Sequence, residues 1–289
     1  MQRCCVLFAV FLFAIPSLSQ SMDVLSGAVV FLYRTEEHPV TKDGKPVIEG
    51  GKQRIESQTT YGTGFLVTPD NSTMVLVTAE HLTADIKSEF NVIVRGQNDT
   101  PLEMSSEELT GAKSVTWITH GKEDVAVAIL HPNKDIAAKL AGHFMPKSQI
   151  SSDKNAPSRD RPLTTLGFPL SLGTAGHFSP ISRESKPASG LITLPRFDTH
   201  APAIFFLLGE PSIAGFSGAP SLLIPTPFAS SIGEMSFPIM GTPVLCVGIV
   251  HGTINDDTGG KMAAVTPSIY ILETIDKAME GTDKIKLGP

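Results

Sequence analysis

The chain has 289 residues, 41% of them hydrophobic and 18% charged, enough for a packed core and far from the composition of a globally disordered protein. Its formal net charge of -6 argues against a nucleic-acid binder, which needs a basic surface to neutralise phosphates. With 25 glycines and 22 prolines, turns are frequent, and short strands are favoured over long helices.

In chain order, the stretch MQRCCVLFAVFLFAIPSLSQS sets a basic Arg3 before an apolar run from Val6 to Ile15, then Pro16 and small residues. That layout predicts a secretory signal peptide over 1–21, cleaved near Ser19 to Ser21. The run is about half of the ~20 residues that span a bilayer, so no stable membrane anchor is expected. Cleavage would remove Cys4 and Cys5 and leave Cys246 alone, so the secreted or periplasmic chain is expected to fold without an internal disulfide. Cys246 lies in the apolar run PVLCVGIV and reads as a packed small hydrophobe, not a reactive thiol.

Twelve short apolar runs follow, separated by turn residues, and each predicts a strand. The first six are 27–33, 62–68, 74–79, 90–95, 114–119 and 124–130. The second six are 163–169, 188–194, 203–208, 219–224, 244–250 and 263–267. Two groups of six with little helix predict an all-β chain of two six-stranded antiparallel barrels, at about 22–150 and 160–268. The polar stretch 151–162 divides them, and 34–60 and 225–243 read as loops, the latter a long hairpin excursion. Helix is expected briefly at AEHLTADI and NKDIAAKLAGHF, and best at 267–280, where Ile269, Leu272, Ile275 and Ala278 recur at helical spacing. Thr266 or Ser268 would cap that last helix and Gly281 would end it.

Chemistry-bearing residues stand out at three places. In IAGFSGAP, Ser217 lies between glycines on a predicted turn, and a serine needs a base before it can attack a carbonyl. Of the eight histidines, most lie in polar stretches, but His81 follows MVLVTAE at the rim where an apolar strand gives way to a turn. Asp124 opens DVAVAIL, a carboxylate placed to orient an imidazole and to balance its charge.

Taken in order, GTGFLV, VTAEH, DVAVAIL and GFSGAP resemble the successive motifs of the trypsin-like (chymotrypsin-fold) serine peptidases, in the flavour of the bacterial HtrA/Deg branch. TLGFPLSLGT and ASGLIT are similar to the segments preceding the nucleophile there, and AAVTPSIYILETIDK to the closing strand and terminal helix. The resemblance covers about 24–280, and no PDZ domain is expected. It implies a Ser217 nucleophile, His81 as general base and acid, and Asp124 orienting His81, with activity falling as His81 becomes protonated. Backbone N–H groups of Gly215 and Ser217 would form the oxyanion hole. Val250, His251 and Gly252 would line the substrate-binding strand, with a small or apolar pocket favoured and its base near Pro211. Phe216 stands where the digestive enzymes carry an activating aspartate, so that switch is not expected. Glu80 beside His81 is expected to point away from the cleft by strand alternation.

Polypeptides are the implied substrates. Neither cofactor nor metal is expected, since no H-E-x-x-H and no paired Cys or His at ligand spacing occurs. An α/β-hydrolase would use Ser217, Glu234 and His251 in that order, but the spacings are too short for the intervening units. A catalytically inactive peptidase fold used for binding stays open as the alternative.

Overall fold

Consecutive apolar runs separated by short turns pair with one another, because the turn returns the chain alongside the strand it has just left. The computed structural model describes residues 18–286 apart from 44, 71, 226–228, 233–234 and 239–242, so the apolar run Val6–Ile15 of the expected signal peptide lies outside the described residues. The first sheet comprises β1 (Val29–Pro39), β2 (Ile55–Thr68), β3 (Met74–Thr78), β4 (Asn91–Arg95), β5 (Pro101–Ser105), β6 (Ile118–Thr119), β7 (Ala126–Leu130) and β8 (Met145–Pro146). Its order is β6-β7-β3-β2-β1-β4-β5, with the short β8 lying parallel beside β2. The second comprises β9 (Leu163–Gly167), β10 (Ile181–Ser185), β11 (Ile192–Pro195), β12 (Pro202–Leu208), β13 (Pro220–Leu223), β14 (Leu245–Asn255) and β15 (Lys261–Pro267). Its order is β10-β9-β13-β14-β15-β12-β11, antiparallel throughout.

All twelve apolar runs contribute strands, and two multi-stranded sheets result. They hold eight and seven strands where six each were expected. The additional ones, β5, β8 and β10, read PLEMS, MP and ISRES and contain no apolar run to announce them. The stretch 34–60 is not a loop: β1 and β2 stay paired from Val29↔Phe65 out to Pro39↔Ile55, and two small hairpins continue beyond. Its outer residues are exposed on both faces, so backbone pairing holds it without any apolar alternation. In 225–243 a hairpin pairs Ala229–Ile232 with Met235–Pro238.

The described residues include five α-helices: α1 (Leu18–Ala28), α2 (Glu80–Ile86), α3 (Ser106–Thr110), α4 (Lys134–Leu140) and α5 (Ser268–Lys286). No helix among the described residues is long and apolar enough to cross a membrane. Helix α5 runs through Gly281, which does not end it; a lone glycine in an exposed helix costs only about 1 kcal/mol and is readily carried. One apolar cluster joins the sheets, with Phe31, Phe65 and Val77 from the first meeting Leu166, Phe168 and Ile249 from the second. Ile271 and Ile275 of α5 close it from outside. Cys246 sits in this cluster with no exposed surface, where burial pushes its thiol pKa up to about 12.

Candidate active site

Strand register brings His81 and Asp124 together. In the β3–β7 ladder Ala126 faces Thr78, so two residues beyond, Asp124 comes level with the start of α2. The backbone N–H of His81 donates to Asp124 Oδ1 at 2.9 Å, and its ring Nδ1 lies 2.7 Å from Oδ2. Asp124 has no exposed surface. Burial raises its carboxyl pKa, but the charge His81 can carry and the N–H groups of His251 and His81 outweigh this and hold it well below the usual carboxylate range. An ionised carboxylate can only accept, so Nδ1 of His81 carries a proton, and in the neutral ring Nε2 is the acceptor.

Ser217 occupies the tight turn before β13. Gly215 (φ 101°) and Gly218 (φ 81°) flank it in conformations that side chains disfavour. Space forbids side chains as well: a Cβ on Gly215 would lie 2.3 Å from the Phe168 carbonyl, and one on Gly218 only 2.1 Å from that of Thr63. The turn is laced to both sheets. Thr63 of β2 donates its N–H to the Ser217 carbonyl (2.9 Å) and its hydroxyl to the Gly215 carbonyl (2.6 Å), while Gly218 N–H reaches the Val250 carbonyl (2.8 Å). Leu170 N–H holds the Ala214 carbonyl at 2.8 Å. Among the described residues, the N–H groups of Gly215 and Ser217 donate to no acceptor, which suits an anion-stabilising pair. Ser217 Oγ donates to the His251 carbonyl at 3.3 Å and makes no hydrogen bond to His81.

A bulge in β14 places His251. Val250 faces Val265 and Gly252 faces Ala264, so His251 is the extra residue between them, and its side chain turns inward. Only 2% exposed, it sets Nδ1 2.5 Å from Asp124 Oδ2, and its Nε2 accepts the Phe197 N–H at 3.4 Å. Its imidazole therefore faces the carboxylate, while its carbonyl faces Ser217. Val250 instead borders a small open cavity of about 20 Å³, together with Leu208, Pro211, Phe216 and the Arg183–Glu210 ion pair (3.4 Å).

Arg196, 3% exposed, is a residue the sequence did not single out. It forks onto Asp198 (2.9 and 2.6 Å), meets Glu80 at 2.6 Å and reaches Asp124 Oδ1 at 3.3 Å. Burial lowers the guanidinium pKa, but these carboxylates outweigh it and the net shift is upward. Glu80 thus has a partner that strand alternation could not foresee, because it begins a helix instead of continuing β3. In the sequence Arg196 and Asp198 look like an exposed turn pair; Asp198 is exposed, and nothing signals the burial of Arg196.

His81, Asp124 and His251 offer ligand atoms within 4.8 Å of one another. The separations to the shared Oδ2, 2.7 and 2.5 Å, are those of hydrogen bonds. Donors on a tetrahedral zinc at about 2.0–2.1 Å stand roughly 3.3 Å apart, so the trio is built around protons.

In fold the chain is similar to solved chymotrypsin-like, HtrA-type proteases. Among solved structures, the HtrA-type protease AlgW with a decapeptide, as a serine-to-alanine variant, matches with a TM-score of 0.56 and 13% identity over 92% of this chain and 67% of that one. A second AlgW structure with decapeptide gives 0.52 and 15% over 92% and 68%. Rv3671c from M. tuberculosis, in an inactive form, gives 0.49 and 14% over 89% of each chain. No protein-family model and no curated protein sequence matches.

Proposed function

We propose that the chain is an exported serine endopeptidase in which Ser217 attacks the substrate carbonyl, His81 takes the serine proton and Asp124 orients His81. The observation that carries this reading is the buried His81–Asp124 pair beside a serine turn whose Gly215 and Ser217 N–H groups meet no acceptor among the described residues. Rotation of Ser217 about Cα–Cβ would move Oγ from the His251 carbonyl toward His81 Nε2; such contacts are often loose without substrate and tighten in the complex. The tetrahedral oxyanion would then sit on the two N–H groups, each worth about 3–4 kcal/mol of transition-state stabilisation. His81 would return the proton to the leaving amine, and a water activated by the same imidazole would release the acyl group. The backbone of Val250, His251 and Gly252 would pair with the substrate, and the cavity beside Val250 and Phe216 would take a small or apolar side chain. Export follows from the N-terminal apolar run.

One observation favours the second reading, an inactive fold used for binding: the hydroxyl of Ser217 is bonded to the His251 carbonyl and not to His81. Fluorophosphonate labelling separates the two. Wild type should label covalently and hydrolyse a peptide library, and Ser217→Ala should do neither; equal labelling of both chains removes the hydrolase reading.

A further inference from the structure

The carboxylate of Asp124 is shared. Oδ2 faces two imidazole Nδ1 atoms, 2.7 Å from His81 and 2.5 Å from His251, while Oδ1 accepts the His81 N–H and one Arg196 nitrogen. The charged and titratable groups around it are His81 and Glu80 from α2, Glu123 next in the chain, Arg196 and Asp198 after β11, and His251 from β14. His251 is not placed to accept a proton from the serine. Its Nε2 already accepts the Phe197 N–H, and the Phe197 and Phe205 rings lie 4.3 and 4.8 Å from its centroid. With Nε2 as acceptor and a carboxylate on the other side, the ring is neutral and its proton sits on Nδ1.

Each donor on a carboxylate stabilises its negative charge and leaves less of it to attract a neighbouring cation. We propose that His251 is a positioning residue, an Nδ1–H donor that shares Asp124 with His81 and thereby limits how tightly His81 holds a proton. This rests on the hydrolase reading for its catalytic meaning: a base held less basic stays unprotonated, and so able to accept the serine proton, further into acid. Its physical content is independent of catalysis. His251 reaches the carboxylate only because the bulge between Val250 and Gly252 turns it inward; a regular strand would send neighbouring side chains to alternate faces.

The test is a pH titration of the His81 ring by NMR in wild type, His251→Leu and His251→Asn. Leucine removes the donor; the asparagine amide can stand where Nδ1 stands and keep it. In the leucine chain the His81 midpoint should rise by about one pH unit, the worth of one charge-assisted hydrogen bond. In the asparagine chain it should return toward wild type, and the acid limb of kcat/KM should move with the midpoint. Unchanged midpoints in both variants, with native folds, overturn the proposal. Should the leucine chain not fold, the wild-type ring nitrogens decide: Nδ1–H with bare Nε2 on His251 at neutral pH supports it, and the opposite tautomer or a doubly protonated ring overturns it. Failure of Ser217 labelling would remove the hydrolase reading while leaving this titration result standing.

Discussion

Arg196 is a single cation holding three carboxylates, Asp124, Glu80 and Asp198, with almost no exposure of its own. Replacing it with leucine fills the volume but takes the cation away from Asp124, which keeps only its N–H donors from His81 and His251, and from two partly buried carboxylates beside it. Arg196→Leu should therefore destabilise the fold by about 3–5 kcal/mol, read as a lowered denaturation midpoint. Arg196→Lys should recover only part of this, because an ammonium cannot fork onto Asp198 while reaching Asp124. How legible these residues are depends on how local their signal is. Ser217 is flanked by Gly215 and Gly218, and each carries a positive φ that the turn demands, so that bend can be read from eight letters. His81 and Asp124 stand at strand ends, where polar residues interrupt apolar runs. The partnership of His251 with Asp124 has no local signal, since it depends on one inserted residue in β14 and on a carboxylate 127 positions earlier.

At the scale of elements, helix α5 does more than finish the chain. Ile271 and Ile275 are fully buried and Ala278 is 2% exposed, packed into the cluster that joins the sheets. Polar contacts fix the same helix from outside: His120 meets Glu273 at 3.0 Å, Lys277 reaches the Thr119 carbonyl at 2.8 Å, and Lys147 pairs with Asp276. Exposed pairs of this kind add little, about 0–1 kcal/mol each, so the apolar face dominates. Ile275→Ala should cost about 2–5 kcal/mol, measured by urea unfolding, whereas Asp276→Asn should be close to neutral. The spacing of Ile269, Leu272, Ile275 and Ala278 announced this helix because one side of it is buried. The β1–β2 extension went unread for the converse reason, being exposed on both faces. Helix α3 carries a local signal of its own: Ser105 and Glu108 form a reciprocal capping box in the sequence SSEE.

For the whole molecule, the stretch 151–162 carries no helix or strand and exposes Lys154 and Arg159, yet the parts on either side share one apolar core. Limited trypsin digestion should nick the chain there first. The two fragments should stay associated, elute as one species and unfold in a single cooperative transition; spontaneous separation without denaturant would contradict the shared core. Division of the chain into two strand groups was legible because turn residues punctuate each apolar run. Their union was not, because Phe31, Phe168 and Ile271 look alike as letters and differ only in which neighbours they find. The lacing of the serine turn to Thr63 has a temporal corollary. During synthesis the base and its carboxylate leave the ribosome well before the nucleophile, and the strand that completes the pocket and the terminal clasp emerge later still. On the hydrolase reading, an unfinished polypeptide is harmless to the cell that is making it.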